Sequence, residues 1–159
     1  MTLQLRKAES MTTKLRCGEC GKRRFEQQNV KGKFSSPWRD FPRAFLTKDL
    51  TILVCNNCGN YAIVGNDAGN VDQAMTASVR NQTAQFIDVI KSKADITSVK
   101  LASLVGVTPE YLSMLANEKK TPTYRIWNIL KIIARDPKRI TTEMDPEWDF
   151  RKENLLLRA

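Results

Sequence analysis

Cys17-Gly-Glu-Cys20-Gly and Cys55-Asn-Asn-Cys58-Gly repeat one five-residue unit, with residues 21–54 between Cys20 and Cys55. The two units hold all four cysteines of a 159-residue chain. A C-x-x-C turn aims two thiolates at one point, and the glycine behind it suits the tight backbone of such a knuckle. Two knuckles brought together by a small sheet give four soft ligands, the set that tetrahedral Zn2+ takes at about 2.3 Å. The spacing therefore predicts one structural Zn2+ per chain on Cys17, Cys20, Cys55 and Cys58. Four protein ligands leave no open position for water, so the metal's work is stability rather than catalysis. A lobe this small has too little core to fold alone, and metal binding can supply on the order of 10 kcal/mol or more. Disulfides would suit a secreted chain. Met1–Met11, however, carries Arg6, Lys7 and Glu9 and lacks an apolar run, so no signal peptide is expected. A redox C-x-x-C pair would need only one copy and a βαβ setting.

Between the knuckles, Lys22-Arg23-Arg24-Phe25, Lys31-Gly-Lys33-Phe34 and Trp38-Arg39-Asp40-Phe41-Pro42-Arg43 interleave basic and aromatic residues. Such a run can stack on nucleic acid or present a partner surface. Equally, Phe25, Phe34, Trp38, Phe41 and Phe45 can simply cover the metal site and a small sheet. Leu50–Val54 and Tyr61–Val64 read as strands flanking the second knuckle. Residues 65–72, Gly-Asn-Asp-Ala-Gly-Asn-Val-Asp, read as a boundary loop.

Charge follows the same divisions. Residues 1–64 hold 12 basic and 5 acidic groups, net +7; residues 65–96 hold 3 and 4, net −1. Residues 97–140 hold 8 and 3, net +5, and residues 141–159 hold 3 and 5, net −2. The formal net charge is +9, which attracts polyanions, nucleic acid first among them. There is no histidine, which removes Ser–His and Cys–His nucleophiles, histidine bases and every histidine-containing metal site. No Gly-rich phosphate loop stands in the chain, and its only dense carboxylates, Glu143, Asp145, Glu147 and Asp149, alternate along the tail. An enzyme is not expected. The longest apolar stretches, such as Leu50–Val54 and Ile126–Ala134, are far shorter than the roughly 20 residues of a membrane helix, so a cytoplasmic chain is expected.

From about Asp72 to Pro137 the apolar spacing becomes helical. Thr83–Lys93 reads as one amphipathic helix with Phe86, Ile87 and Ile90 on its stripe. Val99–Val105 is a short second helix after the capping residues Thr97 and Ser98, and Gly106 ends it in a left-handed conformation. Val107 plugs the core, Thr108 caps a third helix with Pro109 at its first position, and Leu112 and Leu115 face inward. Ala102 and Gly106 are expected at the helix crossing. This is helix-turn-helix spacing. A basic loop, Glu118–Thr123, leads to a closing helix over Tyr124–Ala134, stopped by Asp136-Pro137.

Leu101-Ala102-x-x-x-Gly106-Val107-Thr108, with Tyr111-Leu112-Ser113 and Lys119-x-x-Pro122, resembles the Xre/phage-repressor helix-turn-helix family over roughly residues 83–137. That family often carries Glu and Gly where this chain has Ala116 and Glu118. Zinc knuckles followed by such a domain resemble the MqsA-type, or YgiT-type zinc-finger, antitoxins over about residues 17–140. Ile129-Leu130-Lys131 and Asp136-Pro137 are similar to the closing helix of that family. The resemblance implies a dimeric autorepressor of a type II toxin–antitoxin operon whose zinc domain engages a ribonuclease toxin. A free-standing or phage-encoded regulator, or an interaction protein with DNA binding secondary, are the alternatives. The extension at 1–16 and the tail at 141–159 lie outside the family pattern, and Met11 is a second potential start.

The expected fold class is thus α+β in two small domains. A four-cysteine, zinc-ribbon-like β lobe spans 17–64, a linker 65–82, and an all-α, phage-repressor-like helix-turn-helix domain 83–140. A recognition helix offers its first turns to base edges in the major groove, which selects Pro109, Glu110, Tyr111, Ser113 and Met114. Glu110 can accept from cytosine N4, and Met114 can pack on a thymine methyl. Tyr111, Asn117, Thr97 and Ser98 are placed to reach phosphates, and Lys100, Lys119, Lys120 and Arg125 supply charge. One short helix reads few base pairs, so a homodimer on a palindromic double-stranded operator is expected. Candidate dimer surfaces are the outer side of the closing helix (Tyr124, Trp127, Leu130) and the tail's Trp148, Phe150 and Leu155–Leu157.

Overall fold

The computed structural model describes residues 15–65 and 67–139, so nearly all of the N-terminal extension, and the tail with its candidate dimer residues, lie outside it. Among the described residues the class is mixed α+β, with small antiparallel sheets and four α-helices. By its contacts the chain divides into two compact units after Ser78.

In the first unit, β1 (Phe25–Asn29), β4 (Thr51–Cys55) and β5 (Tyr61–Ala62) form a three-stranded sheet in the order β1-β4-β5. β1 pairs antiparallel with β4 from Phe25↔Cys55 to Asn29↔Thr51, and Val54 pairs with Tyr61. The basic–aromatic middle supplies a separate hairpin, β2 (Ser35–Trp38) and β3 (Phe41–Phe45). Its register shifts between Ser36 and Trp38, at Pro37, whose missing N–H cannot serve a regular ladder. Phe25, Phe34, Trp38 and Phe41 are buried, whereas Phe45 is 46% exposed. Covering the lobe therefore accounts for four of the five aromatics.

Most of the expected linker, residues 65–82, is helical. Helix α1 runs Asp67–Ala94, beginning where a boundary loop was expected. Gly65, at φ +57, makes the turn, and Asp67 accepts from the Val64 N–H in the first helical turn. The poor formers that follow are overruled by Val71, Met75 and Val79, all buried at helical spacing. Ser78 is also fully buried; its hydroxyl donates to the Ala74 carbonyl at 2.7 Å and accepts from the N–H groups of Thr47 and Lys48. Trp38 Nε1 donates to Asp72 at 2.8 Å. The first half of α1 therefore belongs to the β unit.

In the second unit, α2 (Ser98–Val105), α3 (Pro109–Ala116) and α4 (Tyr124–Arg135) enclose a core with the rest of α1. Ile87, Ile90, Leu101, Ala102, Val105, Leu112, Leu115, Leu130 and Ile133 are its buried residues. Thr97, Thr108 and Thr123 each cap the following helix by accepting a backbone N–H. Gly106 caps α2 at φ +73, and the Val107 N–H bonds to the Ala102 carbonyl at 2.9 Å. Gly106 is not a crossing residue: a Cβ there meets nothing within 4 Å, and only its left-handed backbone requires glycine. Gly106→Ala is expected to cost about 1–2 kcal/mol through backbone conformation alone. Thr108→Ala is expected to cost about 1 kcal/mol. Urea unfolding midpoints check both.

The side of α4 expected to face outward faces the core instead. Trp127 and Leu130 are buried, and Tyr124 is half-buried with its ring stacked on Trp127. The side chains spaced at 127, 130 and 133 face the core, leaving Ile132, 58% exposed, as the outward apolar residue of α4.

Candidate metal centre and candidate nucleic-acid interface

The two knuckles have the same backbone. Cys17 N–H donates to the Lys22 carbonyl at 2.9 Å, and Cys55 N–H donates to the Asn60 carbonyl at 2.8 Å. Gly21 N–H closes on the Cys17 carbonyl and Gly59 N–H on the Cys55 carbonyl, at 2.9 and 2.7 Å. Both glycines are left-handed, at φ +69 and +74, which is why a glycine follows each C-x-x-C. The sheet brings the knuckles together: Cys55 ends β4 opposite Phe25, and the Asn56 N–H bonds to the Arg24 carbonyl at 2.8 Å. A small apolar cluster of Cys17, Phe25, Leu53 and Cys55 backs the site.

All four Sγ atoms lie within 4.8 Å of one another, with Cys17–Cys58 at 3.5 Å and Cys20–Cys55 at 3.6 Å. Four sulfurs at 2.3 Å around a tetrahedral ion would stand about 3.8 Å apart. A disulfide would require about 2.05 Å. The donor set, sulfur only and free of oxygen or nitrogen, fits a thiophilic metal ion. Backbone N–H groups supply the electrostatics. The Cys20 N–H, chiefly, holds the Cys17 thiol down to about 6, against the opposing effect of burial. Burial raises the Cys55 thiol, but the N–H groups of Asn57 and Cys58 leave it lowered on balance. At Cys58 the Asn60 N–H favours the thiolate, yet burial and the three neighbouring sulfurs push it up to about 12. Crowded thiols resist losing all their protons until a cation offsets the charge. Asn60 Nδ2, which the spacing did not single out, stands 3.9 Å from Cys17 Sγ.

In the second unit, α2 and α3 are joined by Gly106-Val107-Thr108. Pro109, Glu110, Ser113 and Met114 are exposed on α3, Met114 to 40%. Lys100, Lys119, Lys120 and Arg125 are exposed as well. Thr97 is exposed, but its hydroxyl oxygen is engaged with the Lys100 N–H. Ser98 is half-buried. Tyr111 is half-buried against the core, and burial raises its hydroxyl above the ordinary tyrosine value. Asn117 is committed to its own helix, donating to the Ser113 carbonyl at 2.8 Å. Sequence reasoning also missed Arg80 and Asn81, which meet the loop after α3 at Thr121 and Glu118. With partners 41 and 37 residues away, they leave no local pattern. No helix of the described residues is long and apolar enough to cross a membrane.

Comparison with models of protein families gives no match, and none of the curated proteins matches this chain.

Proposed function

We propose that the chain is a sequence-specific DNA-binding transcriptional regulator, a repressor, whose N-terminal lobe is held by one structural Zn2+. The observation that carries the reading is the capped α2–Gly106–α3 unit, with Pro109, Glu110, Ser113 and Met114 open on the first turns of α3. Those turns enter the major groove in helix-turn-helix proteins. Lys100, Lys119, Lys120 and Arg125 then take phosphates, with Thr97 and Ser98 at the start of α2. Zinc is the metal because four thiolates in a closed tetrahedral set are a common structural zinc site. The reading is of a binding protein, not an enzyme.

Selection from a random duplex pool tests it. The expected result is a palindrome whose half-sites lie about one DNA turn, roughly 34 Å, apart and are occupied by a homodimer. Absence of enrichment, together with no binding at low salt, overturns it. Metal analysis of the purified protein is expected to give about one zinc per chain; two disulfides and no metal would remove the zinc assignment.

An antitoxin that represses its own operon is the specific form of this reading, following the resemblance of residues 17–140 to MqsA-type antitoxins. Phe45 favours a protein partner for the β lobe, such as a toxin. It is 46% exposed on β3, with the Arg43 guanidinium 5.2 Å from its ring centroid. Aromatic residues, phenylalanine included, and arginine are enriched at protein interfaces. A toxin gene beside this one supports that form, and its absence favours a free-standing regulator.

A further inference from the structure

The loop between α3 and α4 carries Lys119 and Lys120, and two adjacent residues of α1 hold it at both ends. Asn81 Nδ2 donates to Glu118 Oε1 at 2.9 Å, and Arg80 Nε donates to Thr121 Oγ1 at 2.9 Å. Gln85 Nε2 donates to Asn81 Oδ1 at 3.1 Å, which occupies the amide oxygen and turns the Asn81 nitrogen toward Glu118. Glu118 sits at φ +56, a left-handed backbone that a glutamate adopts only when its surroundings hold it there. The lysines follow directly, and the N–H groups of both bond to the Met114 carbonyl, at 2.9 and 3.3 Å. Both side chains are exposed, whereas Arg80 and Asn81 are half-buried.

We propose that Arg80 and Asn81 are positioning residues for DNA. They fix the Glu118–Thr121 loop so that Lys119 and Lys120 meet the phosphates already ordered. The inference rests on the DNA-binding reading. Phosphate contacts set affinity on every sequence alike, and ordering a loop before binding removes a cost otherwise met on association. Loosening this clamp therefore weakens operator and unrelated duplex by the same factor and leaves base preference unchanged.

Two charge-neutral substitutions test it. Asn81→Ala removes the donor to Glu118, and Thr121→Val removes the acceptor for Arg80. Each is expected to weaken both duplexes in parallel by about two- to tenfold. Asn81→Asp sets two carboxylates against each other and is expected to lose more. Adding Glu118→Gln to Asn81→Asp lets the new amide donate to the aspartate, restores the pair at unchanged net charge, and is expected to recover binding. Thermal unfolding is measured beside each titration. A loss that tracks melting temperature and is not recovered by the paired swap overturns the positioning role. So does wild-type binding by Asn81→Ala and Thr121→Val. If the unmodified protein binds neither duplex at low salt, the DNA-binding reading itself fails, and this inference with it.

Discussion

Cys55→Ser, or prolonged chelation, is expected to unfold the three-stranded sheet of the first unit while α2, α3 and α4 stay folded. The reason is the position of β4. Ile52, Leu53, Val54 and Cys55 are all buried, so both faces of this strand are covered. Leu53 and Cys55 lie in the cluster beside the cysteines with Cys17 and Phe25. β4 is also the central strand, pairing β1 on one edge and β5 on the other. If the four thiolates hold a metal as proposed, its removal would leave nothing to keep the sulfurs together, and the cluster is too small to replace it. Structural zinc supplies roughly 10–16 kcal/mol in small domains, whereas a whole domain is stable by about 5–15 kcal/mol. The second unit has its own core, running from Ile87 to Ile133, and no cysteine. Proton exchange is expected to become fast from Phe25 to Ala62 and to remain slow at Leu101, Leu115 and Leu130. Uniform loss of protection in both units would show that the second one depends on the metal.

What could be read from the sequence, and what could not, divides by the range of the interactions. The knuckles were legible because their chemistry is local: two thiols, a fixed spacing and a glycine that must be left-handed. The caps of α2 and α3 were legible for the same reason, since Thr97, Thr108 and Gly106 act on backbone groups within four residues. The start of α1 was not. Gly65, Asn66, Gly69 and Asn70 are turn formers, and their weak helix propensity is overridden by burial of Val71 and Met75. The hairpin of β2 and β3 was hidden too, because Pro37 and the run of basic residues obscure any alternation. The face of α4 is not legible locally, because an aromatic at 127 fits an outward anchor as well as a core residue. Its ring meets Phe86 edge-on at 5.7 Å, a contact 41 positions away in the chain.

The position of Glu118 shows how local and distant effects combine. A left-handed backbone at φ +56 favours glycine, the residue that the expected Xre/phage-repressor resemblance would place there. This chain keeps the conformation without the glycine and adds a carboxylate that Asn81 engages. The cost of a non-glycine residue in that region is about 1–2 kcal/mol, and the tie to α1 offsets part of it. A negative charge beside two lysines also lowers the local positive potential, so the proposed phosphate contacts would rest all the more on where the lysines stand.

Replacing Lys119 and Lys120 together with glutamine is expected to produce the largest loss of DNA binding. Both side chains are exposed and directly follow α3, where, on the proposed DNA-binding reading, the phosphates flanking the major groove would lie. Each phosphate neutralised releases counterions, so log K falls with log salt by about 0.9 per contact. Loss of two contacts is expected to flatten that slope by about two and to weaken operator and unrelated duplex together by tenfold or more at low salt. Glu110→Ala or Met114→Ala is expected to behave differently. Neither residue is a cation, so the salt slope holds, while the preferred base at one position changes at a cost of about 1–3 kcal/mol on the operator only. Tyr111 is a poorer candidate for base contact, half-buried against the core, and Asn117 a poorer candidate for a phosphate, bonded to Ser113. Titration of all three variants against two duplexes at several salt concentrations separates the roles. If the lysine pair leaves the slope unchanged and Glu110 and Met114 leave the preference unchanged, DNA does not bind this face of α3.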